Sequence, residues 1–177
     1  MKTNQKVFKL ASALLHYPDK TWLKEVAYIE AEINSIEEPV IRSYLQSFLH
    51  YMKSTSFDQL CENYVYTFDF HGIVTLNLTY HVFKDSRKRG EALVQLRKIF
   101  KESKLEAKSD ELPDYLPLIL EFLSVAKDEQ AVDLLKLHIK SIQKLDQTLT
   151  ENDSPYHFLL KAVQDVAYRT LQNKHVS

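Results

Sequence analysis

The sequence predicts an all-α fold: a single-domain bundle of eight or nine helices over residues 1–177. Three observations predict it. Only two glycines occur, Gly72 and Gly90, so the turns that sandwiches and barrels depend on are nearly absent. Apolar residues recur at three–four spacing through most of the chain. One segment alone alternates as a strand would, and a lone strand leaves its backbone groups unpaired.

In chain order, Val7, Leu10, Ala11, Leu14 and Leu15 form a first helical stripe, which Pro18 ends. Trp22, Val26, Ile29, Ile33 and Ile36 form a second, which Pro39 breaks. Ile41, Tyr44, Leu45, Phe48 and Met52 mark a third. Ser56 with Gln59 resembles a capping box ahead of Phe57, Leu60, Cys61, Tyr64, Val65 and Phe68. Val74, Leu76, Leu78, Tyr80 and Val82 alternate strictly, yet with no second strand to pair them 74–82 is assigned to helix. Ala92, Leu93, Leu96, Ile99 and Phe100 give the next helix. Segment 112–126 is apolar around most of its circumference and should be central and buried. Pro113 fits its first turn, and Pro117 should kink or delay it. Ala131 to Leu149 keeps its rhythm for five turns. Ser154-Pro155 then reads as N-cap and first turn of the last helix.

Composition excludes several functions. Lys and Arg number 23 and Asp and Glu 24, for a formal charge of −1, which argues against a globally basic nucleic-acid binder. Two glycines eighteen positions apart cannot build a phosphate-binding loop. Cys61 is the only cysteine, so CxxC chemistry is excluded and a reducing cytoplasm is expected. The apolar run Leu10–Leu15 is too short for a signal sequence, and nothing approaches the ~20 apolar residues of a membrane span. No two histidines stand at i, i+4. Cys61, Asp69, His71 and His81 are a weak candidate metal set, and no bound metal is expected. His138 lies on an apolar stripe and reads as a hydrogen-bonded core histidine.

Charge is uneven. Eight basic residues and three acids lie between Lys84 and Lys104; seven acids and one base lie between Asp110 and Asp133. Solvated helix faces explain both. The sharper alternative is an acidic surface that receives a basic peptide, with the basic stretch ordering the loop before it.

Two stretches stand apart. One runs from Tyr64-Val-Tyr-Thr-Phe-Asp through Thr75-Leu-Asn-Leu-Thr-Tyr-His81 to Asp85-Ser-Arg-Lys-Arg-Gly90; the other is Glu111-Leu-Pro-Asp-Tyr-Leu-Pro-Leu-Ile-Leu-Glu-Phe-Leu123. The paired prolines should expose Asp114 and Tyr115 and leave backbone groups free. Together these strings, over about residues 60–126, resemble the respiratory nitrate reductase assembly chaperones, in the all-helical TorD/DmsD family that matures molybdoenzymes.

The resemblance implies a function. Such proteins bind the N-terminal tail of a molybdoenzyme catalytic subunit in the cytoplasm and hold it until the molybdenum cofactor is inserted. The partner here would be the N-terminal segment of the nitrate reductase catalytic (alpha) subunit. The cofactor belongs to that client and none is bound permanently; no catalysis, no nucleic acid and no stable membrane insertion are implied. Alternatives are another client of the DMSO reductase family and, further off, a nucleic-acid binder using 84–104. Monomer and dimer are both open. A client helix would lie in an apolar groove. Tyr64, Tyr80 and Tyr115 suit its walls, and Asp114, beside Pro113, and Glu121 suit polar anchors. Asp85, Arg87 and Arg89 either contact the client or fix the groove rim as a salt-bridge network. The chain departs from the family in reading Leu112-Pro113-Asp114-Tyr115, with tyrosine where relatives carry histidine. It also lacks a glycine before Asp85, which predicts a less tight turn at Phe83-Lys84.

Overall fold

The computed structural model describes residues 2–69, 74–103 and 110–172. Among these lie nine helices and no strand: α1 (Thr3–Leu14), α2 (Lys20–Asn34), α3 (Pro39–Ser54), α4 (Phe57–Phe68), α5 (Leu78–Phe83), α6 (Arg87–Glu102), α7 (Leu116–Val125), α8 (Asp128–Glu151) and α9 (His157–Gln172).

The helices begin and stop for local reasons. Asp19 caps α2 by accepting from Thr21 N–H and Trp22 N–H. Pro39 opens α3 at a position that needs no N–H. Ser56 accepts from Gln59 N–H at 3.3 Å to cap α4, while the Gln59 amide bonds Asn63 instead of closing the box. The last helix starts later than its sequence suggests. Residues 154–156 form a turn, and the Ser154 hydroxyl is buried without a partner and caps nothing.

α7 is the centre. Leu116, Pro117, Ile119, Leu120, Phe122, Leu123 and Ser124 are all buried, so most of its circumference is covered. α1 lies along it, tied by Ser12 Oγ donating to the Pro117 carbonyl at 2.8 Å. α8 and α9 form a long hairpin, α9 also packs on α3 and α1, and α2 rests on α3. Phe8, Leu14, Ile41, Leu45, Phe48, Ile142, Leu159 and Val163 join one core cluster. Burying each such side chain stabilises the fold by about 1.5–3 kcal/mol before entropy is set against it.

α6 is peripheral. Only Leu96 and Phe100 are buried, the latter against Phe122 with ring centroids 4.9 Å apart. Its basic face is exposed, as are Asp110, Asp128, Glu129 and Asp133; Lys104 lies outside the described residues. No helix among the described residues is long and apolar enough to cross a membrane.

Candidate functional site

The sequence places Asp114 at an exposed opening; the structure buries it completely, at 0% exposure. A buried carboxylate must find donors. Oδ1 accepts from Asn77 Nδ2 at 3.0 Å; Oδ2 accepts from the Thr79 N–H at 3.2 Å and from the Thr79 hydroxyl. Arg89 Nη2 lies 3.6 Å from Oδ2, and Arg89 Nε donates to Thr79 Oγ1 at 3.2 Å. Asp114 therefore caps α5 from outside, supplying the acceptor that the first N–H groups of a six-residue helix need.

The backbone here is also engaged. Leu78 N–H donates to the Asp114 carbonyl, and Leu116 N–H to the Leu76 carbonyl, both at 2.9 Å. They make an isolated antiparallel bridge between Asn77 and Tyr115. Two expectations are thus corrected. Residues 112–115 form a turn and one bridge, not helix, because Pro117 delays α7 to Leu116. The alternating residues of 74–82 do find a partner, but only as one bridge at Asn77 after a bend at Leu76, and the chain is helical only from Leu78. Pro113 is buried beside Asp114.

The expected network of Asp85, Arg87 and Arg89 is also revised. Only Arg89 turns inward. Arg87 is 96% exposed and meets Glu91 at 3.8 Å. Asp85 is exposed and makes no ion pair among the described residues. Tyr80 is half-buried beneath two cations, with Lys84 Nζ 4.9 Å and Arg89 Cζ 5.5 Å from its ring centroid. Lys84 has φ +50°, and Ser86 N–H closes the turn onto the Phe83 carbonyl at 3.2 Å. The tight turn is kept with a lysine in a conformation that favours glycine.

His138 sits deep in α8 with Nε2 unpartnered, not hydrogen-bonded there as expected. Burial pushes its pKa down to about 4, against a weaker opposing pull from Asp114. Cys61 is half-buried with Sγ 3.9 Å from the Pro18 carbonyl. His71 lies outside the described residues, and no group of three His, Cys, Asp or Glu among the described residues could hold a metal.

Two sequence-selected tyrosines do come together. Tyr64 Oη donates to the Leu15 carbonyl at 3.1 Å, satisfying the C-terminal end of α1, and stands 3.5 Å from Tyr115 Oη. Burial raises both phenols above their ordinary range. The His16 ring meets Tyr115 edge-on at 5.9 Å, and Tyr17 meets Tyr64 at 5.4 Å. Tyr80 is not part of this pair. Glu121 is exposed on α7.

His16 and Tyr17 also open a cleft that the sequence reading missed. It lies between α1 and α2 and encloses about 610 Å³. Leu10, Leu14, Trp22 and Ile29 line its base, with Ala13 among them; Tyr17 and Tyr28, 53% and 62% exposed, stand at its edge. A signal was available. Leu23, Ala27 and Tyr28 are apolar residues of α2 that lie off its buried stripe, more than one covered face requires.

The sequence profile of the nitrate reductase delta subunit family matches residues 36–160. The chain belongs to that family. Among delta-subunit relatives, the probable nitrate reductase molybdenum cofactor assembly chaperone NarJ of Bacillus subtilis (strain 168) is 36% identical over 169 residues, 93% of this chain and 92% of that protein. The nitrate reductase molybdenum cofactor assembly chaperone NarJ of Escherichia coli (strain K12) is 31% identical over 95% of this chain and 72% of its own length. A crystal structure of a redox enzyme maturation protein from Archaeoglobus fulgidus superposes with a TM-score of 0.67 at 19% identity, covering 91% of each chain. That likeness establishes the all-helical fold for this delta-subunit chain.

Proposed function

We propose that this chain is a system-specific cytoplasmic chaperone. It binds the N-terminal tail of the nitrate reductase catalytic subunit and supports molybdenum cofactor insertion and enzyme assembly. The family and the names its relatives carry support the client class. The observation that carries the binding mode is an open, mostly apolar cleft ending at His16 and Tyr17, whose rings contact Tyr115 and Tyr64. Such a surface grips a polypeptide by burying its apolar side chains, and a client's cofactor stays the client's.

In this reading Tyr115, half-buried behind His16, and the exposed Glu121 meet the client. Asp85 and Arg87, both exposed and Arg87 only loosely paired with Glu91, reach basic or acidic residues beyond it. Pro113, Asp114 and Arg89 shape the turn that presents Tyr115, and Tyr80 braces Arg89. A tail that orders on binding should reach roughly micromolar to tens of nanomolar affinity.

Calorimetry with a synthetic peptide of the client's N-terminal tail tests the proposal. Saturable binding in that range is expected. Absence of binding, together with a fully loaded and active nitrate reductase in cells lacking this protein, would overturn it.

A further inference from the structure

We infer that α5, α6 and the middle of α8 form a basic face that adsorbs peripherally to an anionic lipid bilayer, lysines over the headgroups and Val82, Val94 and Leu137 at the interface. This goes beyond the proposed function and does not depend on it.

Charge is lopsided in a chain whose formal charge is only −1. Six exposed cations lie on 84–102 and three on 136–144, against three exposed acids, Asp85, Glu91 and Glu102. The middle of α8 shows the oddity most clearly. Lys136, Lys140 and Lys144 follow at i, i+4 and i+8, all exposed, with no exposed acid between them. A solvated helix normally sets opposite charges at that spacing, because like charges there oppose the helix. None of the three lysines makes an ion pair among the described residues. Leu137, more than half exposed, shares a stripe with Lys140 and Lys144 at i+3 and i+7.

α6 repeats the pattern. Val94, also more than half exposed, shares a stripe with Lys98 and Lys101 at i+4 and i+7. Lys98 reaches Glu102 only at 3.8 Å. α5 joins the two, since it packs on both α6 and α8 and exposes Val82 beside Lys84. Burial, joined by the charges of Lys84 and Lys144, pushes the His81 pKa down, so the two basic stretches meet over that side chain. The cleft belongs to α1 and α2, which pack on α7, α9 and α3, so different helices build the two surfaces.

The make-up of the face selects the partner. Seven of the nine exposed cations are lysine. Lysine is a point charge on a flexible stem, suited to a sheet of mobile anions, whereas the arginine fork matches fixed carboxylates and phosphates. The large exposed side chains among these cations are aliphatic, and such groups gain from the headgroup–acyl boundary. Nucleic-acid surfaces instead stack bases on aromatic rings. The contact is adsorption: no helix among the described residues is long and apolar enough to cross the bilayer.

Flotation of the full chain with phosphatidylcholine vesicles, with and without about 30 mol% phosphatidylglycerol, tests the inference. The chain should float with the anionic vesicles at low salt, stay behind with the neutral ones, and be released as salt rises to about 0.5 M. Lys140→Glu combined with Lys144→Glu should weaken binding roughly tenfold or more, with circular dichroism unchanged because both side chains are exposed and unpaired. Leu137→Ser should cost roughly threefold, through the apolar contact alone. No flotation, equal flotation with neutral vesicles, or a double variant that floats like the parent overturns the inference. So does binding to polyglutamate, duplex DNA or a second copy of the chain in place of the anionic vesicles.

Discussion

The α1–α2 cleft and the α5–α7 junction are built from the same kinds of residue and use them in opposite ways. At the junction, Asp114 is sealed and fully supplied with donors, and Tyr80 lies beneath Lys84 and Arg89. In the cleft, Tyr17 and Tyr28 stand in solvent, and Glu25 has no cation among the described residues. The junction carries the distinctive sequence strings; the cleft carries none. Under the proposed function, the contrast teaches that a conspicuous motif can mark the frame of a site while ordinary helical residues form its contact surface. A frame needs particular partners at fixed distances, whereas a contact face needs only apolar area and access.

The sharpest way to break this contrast is Asp114→Ala. It strands the buried donors of Asn77, Thr79 and Arg89, so a loss of about 3–5 kcal/mol in urea unfolding is expected. A loss under about 1 kcal/mol would mean that the junction is no better supported than the cleft.

Next in size is the pH dependence of the packing behind the junction. His138 has a folded pKa of about 4, below its ordinary 6.5, because burial disfavours the imidazolium. The unfolded chain therefore takes the proton first. The contribution to stability is complete above pH 6.5 and is lost as pH falls toward 4, by up to about 3 kcal/mol. His81 and His157 are shifted the same way by burial and add to the slope. Urea midpoints across this window should fall, and His138→Leu should flatten the curve.

Lys84→Gly is smaller. It relieves a positive φ and gives up one cation above Tyr80. A net gain of about 1 kcal/mol is expected in thermal or urea unfolding. Smallest is Tyr28→Ala in the cleft, which should stay within about 0.5 kcal/mol of the parent in stability. That near-silence, set beside the loss at Asp114, is the comparison in its plainest form.

The helices were legible because burial of one face writes three–four spacing into the chain, as Trp22, Ile29 and Ile33 do in α2. The tyrosine pair was legible in part: Tyr64 and Tyr115 were singled out, though nothing local says that their hydroxyls approach. Asp114 was misread as exposed because its burial depends on Asn77, Thr79 and Arg89, which arrive from elsewhere in the sequence. The alternation at 74–78 lacked a partner on paper because its partner was counted inside a helix. The cleft left only the surplus apolar residues of α2 as a trace. It is a failure of two helices to meet, and periodicity records what packs, not what stays apart.

One small feature reaches further. Two amides, Leu78 and Leu116, form the backbone rungs of the bridge between Asn77 and Tyr115 among the described residues, and each is donated from a different side. Leu116 is also the first residue of α7. In deuterium exchange the two protons should fade on one clock, and that clock should keep time with the slowest amides of α7.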